Sequence, residues 1–419
     1  HEDVIRLMKK ARPDCVAVTA VTPSIISAAK MAKMIKCNFP GLPVIIGGAH
    51  FTALPEKTLS EYADFDAGVV GEGEQTIVEL VCALSSGGDL SDLAGIAFRG
   101  EGETVLTKPR EFIKNLDELP FPAWETLSGF PHKYRPAIFK YKRLPSAQIV
   151  TSRGCPHECI FCDTSVFGRN VRFHSAGYVL DEIEYLVKKF GIRDIIFEDD
   201  QFLLKKGRLE DICSGLLKRK TRISWSCNGR VNSVDNIDLL HLMKLSGCWQ
   251  INYGIESGNQ EILDAAKKSI TLEKVRDAVR LTHKAGISSK GFFMLGLINE
   301  TEKTIKDSIN FAKNIPLDDV SVFMLTPFPG SSLYRTASRF GKFDNNFAEM
   351  NVLTAVFIPN GLSKELLENY QRRFFTEFYM RPRILSVYLK RIVSNPALCF
   401  RYINGIKALL DYSGKRSAR

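Results

Sequence analysis

The chain has 419 residues, 45% hydrophobic and 25% charged, with 57 Lys+Arg against 47 Asp+Glu and ten cysteines. That composition excludes wholesale disorder, and the length points to two or three domains, because single cores stop growing at roughly 250–300 residues. No apolar run reaches the roughly eighteen residues that a membrane-spanning helix needs. Charge is unevenly spread: from Ser363 onward twelve Lys/Arg face four Asp/Glu, so +8 of the net +10 lies there and only +2 in the rest. A folded core that is nearly neutral does not offer the basic face of a nucleic-acid binder, and no such partner is expected.

The sequence starts at His1 without a signal-type apolar segment, and it reads as a fragment or processed chain that begins inside a domain. Residues Asp14 to Val21 form a continuous apolar run of the kind found in buried parallel strands. Pro23 and Ser24 can open a helix that runs to about Lys36. Pro43 to Gly48 predicts a second strand ending in a glycine pair, and Asp66 to Glu74 a third, followed by a helix from Gln75. This βαβαβ rhythm predicts an open, doubly wound parallel sheet over residues 1–110. Such sheets bind ligands beyond the strand carboxyl ends, where Gly47, Gly48 and Gly71 fall.

Pro120, Pro122, Pro131, Pro136 and Pro145 mark residues 111–145 as an ordered linker. A second alternating region, 146–345, follows. Its strands are expected at Gln148–Ser152, Asp194–Glu198, Ile223–Cys227, Trp249–Ile255, Ser289–Leu295 and Asp319–Leu325, with helices such as Ala176–Phe190 and Leu272–Ala285 between them. Six βα units are fewer than the eight of a closed barrel, so an open (β/α)6 partial barrel is expected, with its functional residues at the carboxyl-terminal face. Residues 346–419 read as helices with aromatic and basic faces, without strands.

Seven cysteines (Cys15, Cys37, Cys82, Cys213, Cys227, Cys248 and Cys399) are scattered among apolar residues, as small buried hydrophobes would be. The other three stand together in Thr151-Ser152-Arg153-Gly154-Cys155-Pro156-His157-Glu158-Cys159-Ile160-Phe161-Cys162, spaced C-x3-C-x2-C after the first barrel strand. Three thiolates on one loop can hold three corners of a cubane iron–sulfur cluster and leave the fourth iron open to a ligand. The other readings are a zinc site, for which no second close Cys/His pair completes the four ligands, and buried free thiols. Thiolate metal chemistry places the chain in a reducing compartment.

This loop, with Phe161 before its last cysteine, resembles the radical S-adenosylmethionine superfamily, and the likeness continues strand by strand. Phe197-Glu198-Asp199-Asp200-Gln201-Phe202 resembles the acidic second-strand motif, and Asn228-Gly229-Arg230-Val231 the end of the third strand. Gly254-Ile255-Glu256-Ser257-Gly258 is similar to the fourth-strand motif and Gly296-Leu297-Ile298-Asn299-Glu300-Thr301 to the fifth, where Ile298-Asn299 replace the usual Pro-Gly pair. Thr326-Pro327-Phe328-Pro329-Gly330-Ser331 resembles the segment after the sixth. In the first region, Val44 to Thr52 and Gly71-Glu72-Gly73-Glu74 resemble the cobalamin-binding, partial flavodoxin-like domain that precedes the barrel in one subgroup, the class B-like methyltransferases.

The resemblance implies three cofactors: a [4Fe-4S] cluster on Cys155, Cys159 and Cys162, S-adenosylmethionine on its open iron, and cobalamin. It implies contacts to S-adenosylmethionine from Asp199 or Asp200 at the amino group, from Glu256 and Ser257 at ribose and carboxylate, and from Arg230 at the carboxylate. Thr19, Ser24, Gly47, Gly48, His50, Gly71 and Glu72 are the implied cobalamin contacts. His50 is expected near the nucleotide tail, and a histidine ligand to cobalt, if the full protein has one, is expected in a part ahead of this sequence. The implied reaction is radical methylation of an unactivated carbon, with a radical cyclase or rearrangement, or a degenerate barrel kept as a binding scaffold, as alternatives. The implied partners are a small-molecule or lipid-like substrate and an electron donor such as flavodoxin or ferredoxin, in the cytoplasm. Phe374-Phe375, Phe378-Tyr379 and Tyr388-Leu389 alternate with Arg372-Arg373, Arg381, Arg383 and Lys390-Arg391. That mix suits either an anionic membrane surface at the inner face or a basic helical cap on the barrel.

Overall fold

The computed structural model of the chain describes residues 2–137 and 140–386. They fall into two units, neither continuous in sequence. The first takes in residues up to 114, then 154–170 and 325–360; the second takes in the remainder.

In the first unit α1 (Glu2–Ala11) leads into β1 (Val16–Thr19), α2 (Ile25–Asn38), β2 (Val44–Gly47), α3 (Ala49–Ala53), α4 (Pro55–Glu61), β3 (Ala67–Val69) and α5 (Glu74–Ser86). Strands β4 (Ile96–Arg99) and β5 (Thr104–Leu106) complete a sheet of order β1-β2-β3-β4-β5. The first three strands are parallel and the last two antiparallel. The three expected apolar runs are the three parallel strands. Their continuity has a simple cause: Val44 and Ile46 enter a core with Phe51 and Leu59, whereas Ile45 enters another with Leu80 and Ile96. A sheet covered on both faces leaves no polar alternation to read.

The second unit begins with β6 (Ser146–Ile149) and the short antiparallel pair β7 (Ser152–Arg153) and β8 (Arg172–Phe173), which brackets the cysteine loop. There follow α6 (Ala176–Phe190), β9 (Asp194–Phe197), α7 (Lys206–Lys218), β10 (Ser224–Gly229), α8 (Ile237–Leu245), β11 (Cys248–Glu256), α9 (Gln260–Ala265), α10 (Leu272–Lys284), β12 (Ser288–Leu295), α11 (Glu302–Asn314) and β13 (Asp319–Met324). Six parallel strands assemble in the order β6-β9-β10-β11-β12-β13. These are the six expected strands, except that the first ends at Ile149 because Ser152 is drawn into the pair with Phe173. On the helix-facing side Tyr253 bonds Thr282 of α10, at 2.7 Å between hydroxyls. Side chains one residue away, such as Asn252, therefore turn to the other face.

The hairpin β14 (Gly341–Phe343) and β15 (Phe357–Pro359) lies in the first unit. This corrects the expectation that residues from 346 onward hold no strand. Between its strands Phe347, Met350 and Val356 are buried in the core of the N-terminal sheet, and the Phe347 ring meets His50 edge-on at 4.9 Å. Asn346 caps only a single helical turn there, Phe347–Glu349. In the second unit α12 (Lys364–Tyr379) lies along edge strand β13: Gln371 Nε2 donates to the Val322 carbonyl at 2.9 Å, and Phe374 and Phe378 are fully buried. The aromatic face thus packs inward, as the capping alternative requires. Residues 387–419 lie outside the described part.

The turn after β12 is tied by Glu300. Its Oε2 accepts from the amides of Gly296 and Leu297, its Oε1 has no partner, and burial pushes the carboxyl up to about 8. Between the ordinary carboxylate range and about pH 8 the unfolded chain releases this proton and the folded chain keeps it. The contribution to stability is therefore complete in acid and is lost as pH rises through that window. Glu300→Gln, which keeps an acceptor for both amides and cannot ionise, should leave the thermal midpoint nearly unchanged at pH 5 and raise stability at pH 8 by on the order of 1–3 kcal/mol. In the first unit, Phe347→Ala should cost about 3–5 kcal/mol, read as a lowered denaturation midpoint.

Candidate functional site

The cysteine loop opens on Gly154, whose φ of +92° and close approach both demand glycine: a Cβ there would stand 2.5 Å from the Asn170 carbonyl oxygen. The Cys155 amide donates to Gly168 at 3.3 Å and the Cys162 amide to Cys159 at 3.2 Å, so two of the three cysteines are fixed by their own backbone. Cys159 is buried, Cys155 half-buried and Cys162 exposed. Residues after β13 brace the loop from within the same unit. The Leu333 amide and the Ser332 hydroxyl both donate to the Ile160 carbonyl, at 3.0 and 3.1 Å. Gly330, at φ +90°, lies so close to Asp163 that a Cβ would fall 2.2 Å from its carboxylate oxygen.

Among the described residues no three His, Cys, Asp or Glu side chains gather on a single-ion site. A cubane asks for something else, three thiolates each bound to a different iron and set apart from one another. Three thiols on one braced loop are the donor set that such a cluster takes.

At the carboxyl ends of β1 to β3 the glycines divide by task. Gly48 (φ +96°) lets β1 and β2 close on each other, since its Cβ would lie 2.6 Å from Thr19 Oγ1. A Cβ at Gly47 or Gly71 would meet nothing within 4 Å, so both leave bare backbone on which a large flat ligand can lie. The Gly71 amide donates to Thr52 at 3.1 Å. Other expected contacts are engaged elsewhere. The Ser24 hydroxyl both donates to and accepts from Val21. Glu72 is buried and accepts from the Ile113 amide at 2.8 Å, tying down the start of the linker. His50 is buried, with Nδ1 3.2 Å from Thr22 Oγ1, and burial followed by the Lys57 charge lowers its pKa to about 4. The imidazole is thus neutral and enclosed, packed edge-on against Phe347.

In the second unit Asp199 is fully buried. Its Oδ1 accepts from the Thr151 amide and hydroxyl, both at 3.0 Å, and from the Ser152 hydroxyl. Burial raises its pKa against those bonds and against nearby Arg208. Arg208 lies between the Phe173 and Phe202 rings and donates to the His174 and Thr151 carbonyls. Asp199 therefore anchors the strand end that leads to the cysteine loop, while Asp200 stands exposed one residue on. Glu256 carries a positive φ of +67° at a register shift of β11, and its carboxylate meets Lys268 at 2.6 Å with both groups buried. Arg230 donates to the Lys268 carbonyl, which joins it to the same cluster. Ser257 is fully buried, with its hydroxyl 3.1 Å from that of Ser308, and presents no surface to a ligand. Sequence reading missed Lys268 and Arg208, which act on the motifs from distant positions, and Asp163, which directly follows Cys162 and meets Gly330 of a Pro-Gly pair.

Residues 149–312 match the model of the Radical SAM superfamily and residues 1–81 that of the B12 binding domain. The chain is 34% identical over 387 residues to the uncharacterized methyltransferase PH0819 of Pyrococcus horikoshii, covering 91% of this chain and 82% of that one. It is 31% identical over 392 residues to the anaerobic magnesium-protoporphyrin IX monomethyl ester cyclase of Rubrivivax gelatinosus, covering 91% of this chain and 69% of the cyclase. Among solved structures, the apo cobalamin-dependent S-adenosylmethionine radical enzyme OxsB matches with a TM-score of 0.73 at 20% identity, over 90% of this chain and 60% of that one. TsrM from Kitasatospora setae, with cobalamin and a [4Fe-4S] cluster bound, matches with a TM-score of 0.68 at 18% identity, over 88% and 79%. These two likenesses show the fold, and the chain spans less than two thirds of OxsB. Braced cysteine loop, bare-backbone sheet end and six-stranded barrel agree with the sequence matches: the chain belongs to the cobalamin-binding radical S-adenosylmethionine enzymes.

Proposed function

We propose that the protein methylates an unactivated carbon of a small molecule. The observation that carries this reading is the presence in one chain of the braced three-cysteine loop and of a cobalamin-binding sheet whose carboxyl end is bare at Gly47 and Gly71. When bound, the cluster, S-adenosylmethionine and cobalamin supply a one-electron cleavage, a carbon-centred radical and a transferable methyl group. The protein's part is positional. Cys155, Cys159 and Cys162 would hold the cluster; Glu256, oriented by Lys268, would accept from the ribose hydroxyls; and Arg230 would provide positive charge for a carboxylate. Thr19, Gly48 and Gly71 shape the cobalamin platform. An electron donor of the flavodoxin or ferredoxin kind, a cytoplasmic location and peripheral contact of the basic C-terminal residues with an anionic membrane complete the proposal. No described helix is long and apolar enough to cross a membrane.

A second reading is favoured by the 31% identity to a cyclase: radical ring closure without methyl transfer. Turnover with methyl-labelled S-adenosylmethionine separates the two. Label in the product is the expected result, and product formation without label would establish the cyclase reading instead.

Replacing any of Cys155, Cys159 or Cys162 by Ala should lower iron from about four per chain after anaerobic reconstitution and abolish 5′-deoxyadenosine formation. Cys82→Ser, at an exposed position in the first unit, should change neither. Glu256→Gln should retain the iron and weaken S-adenosylmethionine binding by about tenfold, measured by equilibrium dialysis.

A further inference from the structure

Barrel interiors are ordinarily filled by branched apolar side chains. Here one level of the sheet is polar across five adjacent strands. Asn228 pairs in register with Asn252, Asn252 with Lys290, and Lys290 with Asp319. Glu198 joins the same level, because the preceding Phe197 pairs with Cys227. All five lie opposite the helix-facing side chains Trp225, Tyr253 and Phe293.

The bonds within this rung leave particular valences over. Asn228 donates to Glu198 at 3.4 Å, Asn252 donates to Asn228 at 3.0 Å, and Lys140 stands 3.5 Å from Glu198. Asp319 is engaged at both oxygens: Oδ1 accepts from the Val320 amide and the Tyr379 hydroxyl, and Oδ2 meets Lys290 at 3.1 Å. Lys290, only 12% exposed, has three donors and among the described residues this single ion pair. Its register neighbour Asn252 has a buried Oδ1 without a partner. A largely shielded ammonium with spare donors beside a buried, orphaned acceptor is a pair of groups that one ligand can complete. Two and four residues further along the same face, Phe292, Met294 and Phe323 form an apolar layer, with the two rings 5.7 Å apart.

We propose that this rung recognises the substrate. It takes a molecule with a flat apolar body, laid along Phe292 and Phe323, and a polar end that sets an oxyanion for Lys290 beside a hydroxyl or N–H for Asn252. The inference rests on reading the chain as an enzyme that acts on a small molecule, and it names that molecule's class.

A matched set of probes tests it: 3-hydroxy-2-naphthoate carries both polar groups, 2-naphthoate lacks the hydroxyl, and 2-naphthol lacks the carboxylate. In isothermal titration of the cluster- and cobalamin-loaded protein, 3-hydroxy-2-naphthoate should bind about tenfold or more tightly than either of the others. Lys290→Met alone would strand Asp319, so it is combined with Asp319→Asn, and the pair should bring the affinity down to that of 2-naphthol. Asn252→Leu, which disturbs no charge, should erase the preference over 2-naphthoate alone, and Phe292→Ala should weaken all three probes. Equal affinity for the three probes in the wild type, or a preference that survives Lys290→Met/Asp319→Asn and Asn252→Leu, overturns the assignment. Labelled-methyl turnover is a separate readout: a binding preference without transfer keeps this inference and removes the proposed reaction, and transfer without the preference does the reverse.

Discussion

A fully buried carboxylate governs the approach to the cysteine loop. Isolated, the Asp199 charge in the protein interior would be prohibitive. The chain meets that cost by drawing donors toward it from Thr151 and Ser152, at the point where β6 gives way to the loop, and by placing the Arg208 guanidinium nearby. Because the bonds to Thr151 use both its backbone amide and its side chain, the path of the strand end is fixed and not merely tethered. Arg208 in turn closes on the Thr151 and His174 carbonyls, one on each side of the loop's base. The chain thus enters and leaves the loop through residues whose backbone is fixed.

A similar economy holds at the strand ends that carry the other motifs. Glu256 sits in a left-handed conformation that is strained for a residue with a side chain, at a shift in strand register. Lys268, twelve residues on and equally buried, makes that placement tenable by compensating the charge. Gly254 is part of the arrangement, since a Cβ there would lie 2.7 Å from the Glu256 carboxylate and 2.9 Å from the Lys268 ammonium. In the Gly-Ile-Glu-Ser-Gly motif the first glycine thus clears the space that the glutamate's ion pair occupies. Ser257 follows the glutamate in sequence but turns inward to Ser308, because alternation sends successive side chains to opposite faces.

The fold was legible in the sequence where periodicity is local. Six barrel strands and the three parallel strands of the first sheet announce themselves as short apolar runs bounded by turn residues, and the cysteine spacing marks the loop that Gly154 and Gly330 shape. The site was less legible, because its supporting residues lie far from the motifs they serve. Nothing near Glu256 marks Lys268 as its partner, and nothing near Cys155 marks Gly330 and Ser332 as the brace of its loop. Glu72 and His50 sat within recognisable motifs and Ser24 at a helix start, and each is bonded within the protein, to Ile113, Thr22 and Val21. The expectation of helices without strands from residue 346 failed for a different reason: Phe347, Met350 and Val356 reach the core of the first sheet from a hairpin, a long-range packing that no local periodicity marks. The two units are interleaved in sequence, so a consecutive division at 110, 145 and 345 follows the motifs but not the packing.

An open barrel has a difficulty that a closed one avoids, namely two free strand edges. At β13 the remedy is α12, which satisfies a carbonyl of the edge strand through Gln371 and buries Phe374 against Phe293. The same helix ends with Tyr379 bonded to Asp319, a member of the polar rung on the opposite face from Phe293. Edge protection and the interior charge pair are therefore joined at one residue. If α12 were displaced, the Asp319 carboxylate would lose a donor and draw more strongly on Lys290. The length of the segment after β13 that returns to cover this edge is then tied to the barrel's interior chemistry as well as to its stability. Basic residues beyond it extend the pattern: Arg381 donates to the Lys313 carbonyl and Arg383 to Pro316 and Asp318, at the end of α11 where carbonyls lack partners. Arg372 and Arg373 instead bond on the exposed side of α12 itself, to Asn369 and Glu377.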